Sequence, residues 1–114
     1  MRRVLFLILL LLPCQGLAHS ELRESVPAQG ARLAEPPAEI LLRFNERVQV
    51  TALRLRDQAG RDAALRRAGG MEPAREARAT PQAPLPPGAF ALEWRAISAD
   101  GHPIRGAIRF TVTP

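Results

Sequence analysis

The chain contains a single cysteine, Cys14, no lysine and no tyrosine, and its aromatic residues are one tryptophan and four phenylalanines. A lone cysteine cannot form a disulfide within the chain, so packing has to stabilise the fold. All sixteen basic residues are arginine, and they are interspersed with acidic residues instead of forming a basic stripe with aromatic residues between them. This pattern argues against a nucleic-acid partner.

The first eighteen residues have the three parts of a secretory signal peptide. Met1–Arg3 is a cationic start, Val4–Leu12 carries no polar side chain, and Gly16 and Ala18 are small residues before a cleavage site. The apolar run of about nine residues is shorter than the roughly 20 that a membrane-spanning helix needs. We therefore predict a signal peptide over 1–18, export across a membrane, and a mature chain that does not insert into the membrane.

Cys14 lies inside this leader and offers a second interpretation. Lipid modification there would keep five residues ahead of His19 and block its amine. Pro13 is an unfavourable residue before a lipidated cysteine, so cleavage after Ala18 is preferred. The mature chain is then one domain over 19–114, with 14 basic and 11 acidic residues and a net charge of +3.

Short strands between turns are expected, because eleven prolines interrupt any long helical pattern. Apolar runs and period-two alternation predict strands at Ile40–Phe44, Val48–Asp57, Phe90–Ile97 and Ile104–Val112. In the last strand, alternation puts on the core side Ile104, Gly106, Ile108, Phe110 and Val112. The water-facing set is Arg105, Ala107, Arg109 and Thr111. The core side is predicted to pack against Phe90, Leu92 and Trp94.

The stretch Arg61–Pro84 is rich in alanine and arginine and contains Gly69-Gly70. We predict an edge and a long loop there, with a helical turn over Ala63–Ala68 as the alternative. The number of short strands with turn residues between them predicts an all-β fold, a small two-sheet sandwich of about the immunoglobulin size class.

The two histidines of the chain occupy informative positions. His19 is the predicted mature N-terminus, and His102 follows Asp100-Gly101 between the two clearest strands. A free N-terminal histidine offers its α-amine and its Nδ1 to one metal, and a second imidazole completes a T of three nitrogens. Such a planar set suits the tetragonal preference of copper(II), which also exceeds the other divalent ions in affinity.

Asp100 and His102 are two residues apart, so in an extended segment their side chains leave the same side of the backbone. Asp100 is then either a fourth, weaker ligand or an acceptor that orients an imidazole. The alternative without a metal is a solvated loop histidine and an aspartate that caps a turn.

Three segments of the mature chain, together with its histidine start, resemble the CopC family of periplasmic copper-binding proteins. The segments are Ser25–Ala31, Pro36–Glu46 and Pro87–Gly106, the last followed by Phe110–Val112. The resemblance implies a Greek-key, immunoglobulin-like β-sandwich or barrel. It also implies a copper(II) site made by His19, His102 and Asp100, with Glu46 near it. For Glu46 the alternative is a surface carboxylate at a strand end.

The family resemblance further implies a role in copper resistance and homeostasis. The protein would sequester copper(II) or pass it to an inner-membrane copper transport protein of the CopD type. Trp94 resembles the family's buried tryptophan, for which core packing is expected. Some family members carry a methionine-rich loop for copper(I), but Met71 is the one methionine of the mature chain, so no separate copper(I) site is expected.

Two other classes of function compete with a copper-binding protein. The same histidine brace serves oxidative polysaccharide cleavage in other exported β-sandwich proteins, but those enzymes are generally longer and present a flat, often aromatic face. A module that keeps the fold without a metal is the third class, and the presence of both His19 and His102 argues against it. No catalytic residue is therefore predicted.

Overall fold

Residues 19–114 are the part of the chain that the computed structural model describes, and they form strands and turns without a helix. The predicted signal peptide, residues 1–18, lies outside the described residues. Among the elements described, there is no helix long and apolar enough to span a membrane. In chain order the strands are β1 Leu22–Val26, β2 Arg32–Leu33, β3 Ile40–Asp57, β4 Asp62–Ala63, β5 Leu65–Ala68, β6 Ala74–Pro81, β7 Gly88–Ile97 and β8 Pro103–Val112.

The longest strand, β3, belongs to both sheets of the fold. Its first half pairs with β1 and β6, its second half pairs with β7 and β4, and the register shifts between Arg43 and Val48. Strands that change sheets in this way form the corners of packed sheets. The prediction of two separate strands, Ile40–Phe44 and Val48–Asp57, was wrong on this point. The residues between them include neither proline nor glycine, and the backbone stays extended through them.

Two sheets result from this division of β3. Sheet A consists of β1, the first half of β3, β6 and β5, all antiparallel. Sheet B consists of β2, β8, β7, the second half of β3 and β4, with β2 parallel to β8 and the other pairs antiparallel. The predicted all-β sandwich is confirmed, and β3 is the element that joins its two sheets.

The core is built from alternate residues of β3, β6, β7 and β8, together with Leu85 of the segment between β6 and β7. Its buried side chains are Ile40, Leu42, Phe44, Val48, Val50, Leu55, Ala77, Ala79, Leu85, Phe90, Leu92, Trp94, Ala96, Ile108, Phe110 and Val112. Phe90 and Phe110 stack across the β7–β8 pair with ring centroids 5.6 Å apart, as the predicted packing of these strands requires. Arg105 and Arg109, on the predicted water-facing side of β8, are exposed.

The alanine- and arginine-rich stretch is a hairpin whose strand β5 lies at a sheet edge, so the predicted edge is confirmed, and the predicted long loop and its alternative of a helical turn were wrong. Strand β5, Leu65–Ala68, pairs with β6 through four residue pairs, and Gly69 makes the intervening turn with φ of +76°. Pairing gives the backbone its hydrogen-bond partners, and β6 buries Ala77 and Ala79 against the core. A helix here would end within two turns at the paired glycines, too short to be stable by itself.

Trp94 is a core residue, as the sequence predicts. It is 6% exposed, and its ring meets that of Phe44 edge to face, with centroids 5.2 Å apart and planes at 79°. The residue opposite Trp94 on β8 is Gly106, and the indole occupies the space that a side chain there would need. Its Nε1 is buried and has no hydrogen-bond partner among the described residues.

Candidate metal centre

The turn between β7 and β8 carries two of the predicted site residues. Its backbone closes through two hydrogen bonds, from the Ser98 N–H to the His102 carbonyl at 2.8 Å and from the Gly101 N–H to the Ser98 carbonyl at 2.9 Å. Gly101 adopts φ of +88°, a left-handed conformation that glycine enters without steric cost. The glycine thus lets the chain reverse within the segment and places Asp100 and His102 on one short turn.

Asp100 contacts the imidazole of His102 directly. The distance from Nδ1 of His102 to Oδ2 of Asp100 is 2.9 Å, and the Ser98 hydroxyl donates to the other carboxylate oxygen. The bond from Ser98, followed by that from His102, lowers the pKa of Asp100 from 3.8 to about 2. In the neutral tautomer that donates from Nδ1, the Nε2 of His102 keeps its lone pair and is free to bind a metal.

Ser20 connects the segment that carries His19 to this turn. Its hydroxyl accepts a hydrogen bond from the Ala99 N–H at 3.1 Å and donates one to Oε1 of Glu46 at 3.0 Å. Ser20 is only 8% exposed, so both of these bonds are largely shielded from water. Ser20, which follows His19, is therefore hydrogen-bonded to Ala99, which precedes Asp100.

Asn45 holds the same segment from the side of β3. Its amide nitrogen donates to the His19 carbonyl at 3.0 Å, and its amide oxygen accepts from the Glu21 N–H at 2.8 Å. The backbone N–H of Asn45 also donates to the Glu21 carbonyl, at 3.1 Å. These bonds extend the pairing of β1 with β3 back to the first described residue, so the backbone of His19 has a defined position.

Glu46 lies within β3, between Arg43 and Val48, where the register of this strand shifts. It is half-buried and accepts the hydroxyl proton of Ser20. The structure therefore places Glu46 beside the His19 segment and inside a strand, in contrast to the alternative of a carboxylate at a strand end. Its contact is with a positioning serine, and a role at a metal stays a prediction.

The four predicted site residues are brought together only in part. Asp100 and His102 touch, and Glu46 and the backbone of His19 adjoin them through Ser20. Within residues 19–114, no group of three or more histidine, cysteine, aspartate or glutamate side chains is arranged to hold a metal ion. In the 114-residue chain the nitrogen of His19 is also an amide joined to Ala18, so the amine that the predicted chelate requires exists only after cleavage.

Ser20, Ser98 and Asn45 are functional candidates that the residue types alone did not reveal. Ser20 and Ser98 are the buried polar residues of the described chain, at 8% and 7% exposure, and buried polar groups are kept where they make hydrogen bonds. The available signal was adjacency, since Ser20 follows His19 and Ser98 precedes Asp100 by two residues. Adjacency in sequence does not show that a side chain is buried, so only the tertiary structure could identify these serines as candidates.

Known proteins resemble this chain in sequence and in fold. A family model described as the CopC domain matches residues 22–113. The copper resistance protein C of Escherichia coli is 35% identical over 107 residues, covering 85% of this chain and 83% of that protein. CopC from Methylosinus trichosporium OB3b superposes with a TM-score of 0.73 at 28% identity, covering 84% of this chain and 95% of that one. The copper transport protein CutJ of Bacillus subtilis is 28% identical over 112 residues, which are 96% of this chain and 21% of that longer protein. The family model spans most of the chain, and the chain belongs to the CopC family.

Proposed function

We propose that this protein is exported to the periplasm, cleaved after Ala18, and binds one copper(II) ion there. The ligands are the α-amine and Nδ1 of His19 and the Nε2 of His102. Asp100 accepts the Nδ1 proton of His102 and so orients that imidazole; this is the second of the two roles considered for Asp100. The 2.9 Å contact between these side chains supports this choice.

The two hydrogen bonds of Ser20 are the observation that carries the proposal. The bond from the Ala99 N–H joins Ser20 to the turn that contains His102, 79 residues away in sequence, and the bond to Glu46 attaches Ser20 to β3. A buried serine that is satisfied on both sides holds the His19 backbone in place before any metal arrives. To form the copper(II) site, the protein therefore needs cleavage after Ala18 and rotation of side chains, but no rearrangement of the sandwich.

The donor set favours copper(II) among the common metals. It offers three nitrogens from His19 and His102, and a carboxylate nearby, but no thiolate or thioether. Nitrogen donors in one plane match the tetragonal geometry of copper(II), while soft sulfur ligands would be expected for copper(I). Both imidazoles are exposed, so an ion can enter from solvent.

Relatives of this chain are named for copper resistance and for copper transport, and this supports a role in copper homeostasis. We infer that the protein sequesters copper(II) or hands it to an inner-membrane copper transport protein of the CopD type. CutJ supports the second role, because a segment like this chain there forms part of a longer copper transport protein. No catalytic step is included in the proposal.

The test is a copper(II) titration of protein that begins at His19, followed by absorption and electron paramagnetic resonance. We expect one equivalent to bind with nitrogen hyperfine coupling. Adding one glycine ahead of His19 converts the His19 amine into an amide, and His102→Ala removes the second imidazole, so each change should lower the affinity and alter this spectrum. If both variants keep the affinity and the spectrum of the unaltered protein, the site is elsewhere.

Asp100→Asn, compared with a control, distinguishes the contact of Asp100 with the imidazole from a general effect of negative charge on copper affinity. Loss of a carboxylate that holds a metal-binding histidine typically lowers affinity by about 10-fold to 100-fold. Glu72→Gln is the matched control, because Glu72 is an exposed carboxylate in the turn between β5 and β6. Equal effects of these two variants would contradict a specific role for Asp100.

A further inference from the structure

Two arginines on the outward side of sheet B face each other without a carboxylate partner. Arg95 of β7 and Arg105 of β8 are directly opposite in the strand ladder, and both are exposed. Neither takes part in an ion pair within residues 19–114. Like charges in this position destabilise a sheet. An anion placed between them would attract both guanidinium groups and so offset their mutual repulsion.

Two arginines of sheet A, in contrast, form ion pairs with carboxylates. Arg43 binds Glu24 at 3.0 Å and Glu76 at 3.1 Å, and Arg78 binds Glu39 at 2.8 Å and Glu76 at 3.1 Å. The outward side of sheet A therefore supplies its own carboxylates to these arginines. Arg95 and Arg105 differ from Arg43 and Arg78 because they have no such carboxylate within residues 19–114 and lie directly opposite each other in the strand ladder.

The unpaired arginines border a recess of about 590 Å³. Arg54, which binds Asp62 at 2.8 Å, also borders it, and the small residues Ala52 and Ala107 leave the space between the arginines open. We call this the arginine recess. A second hollow of about 390 Å³ shares Arg95 and Arg105 with it and extends along the two strands to Pro103.

Pro103 follows His102 directly in the sequence, so the second hollow ends one residue from the candidate copper ligand. We propose that the arginine recess docks an acidic segment of a protein partner, whose carboxylates pair with Arg95 and Arg105. Guanidinium groups bind carboxylates through paired hydrogen bonds, which give geometric specificity as well as charge attraction. Identifying the partner as one that exchanges copper rests on the function proposed above.

The shape and charge of the recess favour a protein segment over a membrane surface. A recess accepts a protruding carboxylate side chain, whereas a flat layer of lipid headgroups would reach only its rim. Glu93 also borders the recess, with its carboxylate 3.6 Å from Nε of Arg56. This negative charge would repel a continuous anionic surface, while an extended peptide can place its carboxylates selectively at Arg95 and Arg105.

The test measures binding of a fluorescein-labelled peptide of repeated Glu-Ala units by fluorescence anisotropy, in low salt, to the mature protein with and without copper. Alternate residues of an extended peptide share one side, so its glutamates can face the arginines together. Arg95→Gln with Arg105→Gln should weaken binding by about tenfold, since exposed charge pairs contribute modestly and additively. The matched control is Arg66→Gln with Arg75→Gln, which removes the same charge from exposed, unpaired arginines of sheet A strands. It should change binding by less than about twofold.

Equal weakening in the two double variants would mean attraction by net charge alone, and would overturn the proposal. Unchanged peptide binding in the Arg95 and Arg105 variant would do the same. So would arginine-dependent sedimentation with phosphatidylglycerol vesicles in the absence of peptide binding. Copper titration of the same variant should be normal. If the unaltered protein fails to bind copper but its peptide binding still depends on Arg95 and Arg105, the proposed function fails and the docking surface stands.

Discussion

Gly106→Ala tests how the indole of Trp94 is accommodated between β7 and β8. A Cβ built at Gly106 would lie 2.7 Å from Cζ2 and 2.8 Å from Cε2 and Nε1 of Trp94. The indole is 6% exposed and in edge contact with Phe44, so it has little room to retreat. The methyl group therefore forces the ring out of its place in the core.

The expected change in the free energy of unfolding follows from two opposing effects. Overpacking of a close-packed core costs about 1–3 kcal/mol. Replacing glycine by alanine in a strand recovers about 0.5–1 kcal/mol, because the glycine loses more backbone freedom on folding. We expect a net loss of about 1–2 kcal/mol in the free energy of unfolding, and each kcal/mol lowers Tm by roughly 4–8 °C in a domain of this size.

Urea denaturation followed by far-ultraviolet circular dichroism measures this loss in the unaltered protein and in a Trp94→Phe background. Phenylalanine lacks the part of the ring that meets the new methyl group, so Gly106→Ala should cost less there, with a coupling energy of at least about 0.5 kcal/mol. Gly60→Ala is the control, because Gly60 has φ of +79° and nothing within 4 Å of a built Cβ. Its cost is backbone strain and should be equal in both backgrounds. A Gly106→Ala variant as stable as the unaltered protein, or one equally destabilised in both backgrounds, would refute the steric explanation.

Three further outcomes are expected. Leu55→Ala opens a cavity at a side chain that is 1% exposed and should reduce the free energy of unfolding by about 2–5 kcal/mol in urea denaturation, where a loss below 1 kcal/mol would contradict its core position. Ser20→Ala leaves the Ala99 N–H without its partner and should cost about 1–3 kcal/mol, together with weaker copper binding by the mature protein; Ser20→Thr, which keeps the hydroxyl, should restore part of both. Asp100 should titrate with a midpoint of about 2 when its carboxyl carbon is followed by NMR. Because the pKa of Asp100 is lowered on folding, the contribution of this carboxylate to stability is complete above pH 3.8, its ordinary pKa, and is lost as pH falls through about 2. A midpoint near 3.8 would mean that the contacts with Ser98 and His102 are absent.

Local pattern determined the class of fold and the choice of candidate site residues. The alternation of β7 and β8 could be read directly, because a half-buried strand repeats every two residues whatever its partners are. His19 and His102 could be singled out because the chain has two histidines, one at a predicted cleavage site and one beside an aspartate. Both inferences depend on chemistry that acts within a few residues.

Tertiary structure decided the features that depend on residues distant in sequence. No local signal shows that β3 continues through Glu46 and passes between sheets, because the reason is pairing with β1 and β6 on one side and β7 on the other. The hairpin of β5 and β6 likewise forms where alanine and arginine alone would allow a helix.

The opposition of Arg95 and Arg105 is set by the register of β7 on β8. Only folding brings Ser20 to Ala99 and so places His19 beside the Asp100–His102 turn. Sequence determined which residues are candidate copper ligands, and the sandwich decided that the His19 segment and the turn of His102 lie side by side, because a hydrogen bond between distant segments exists only when the sheets are paired.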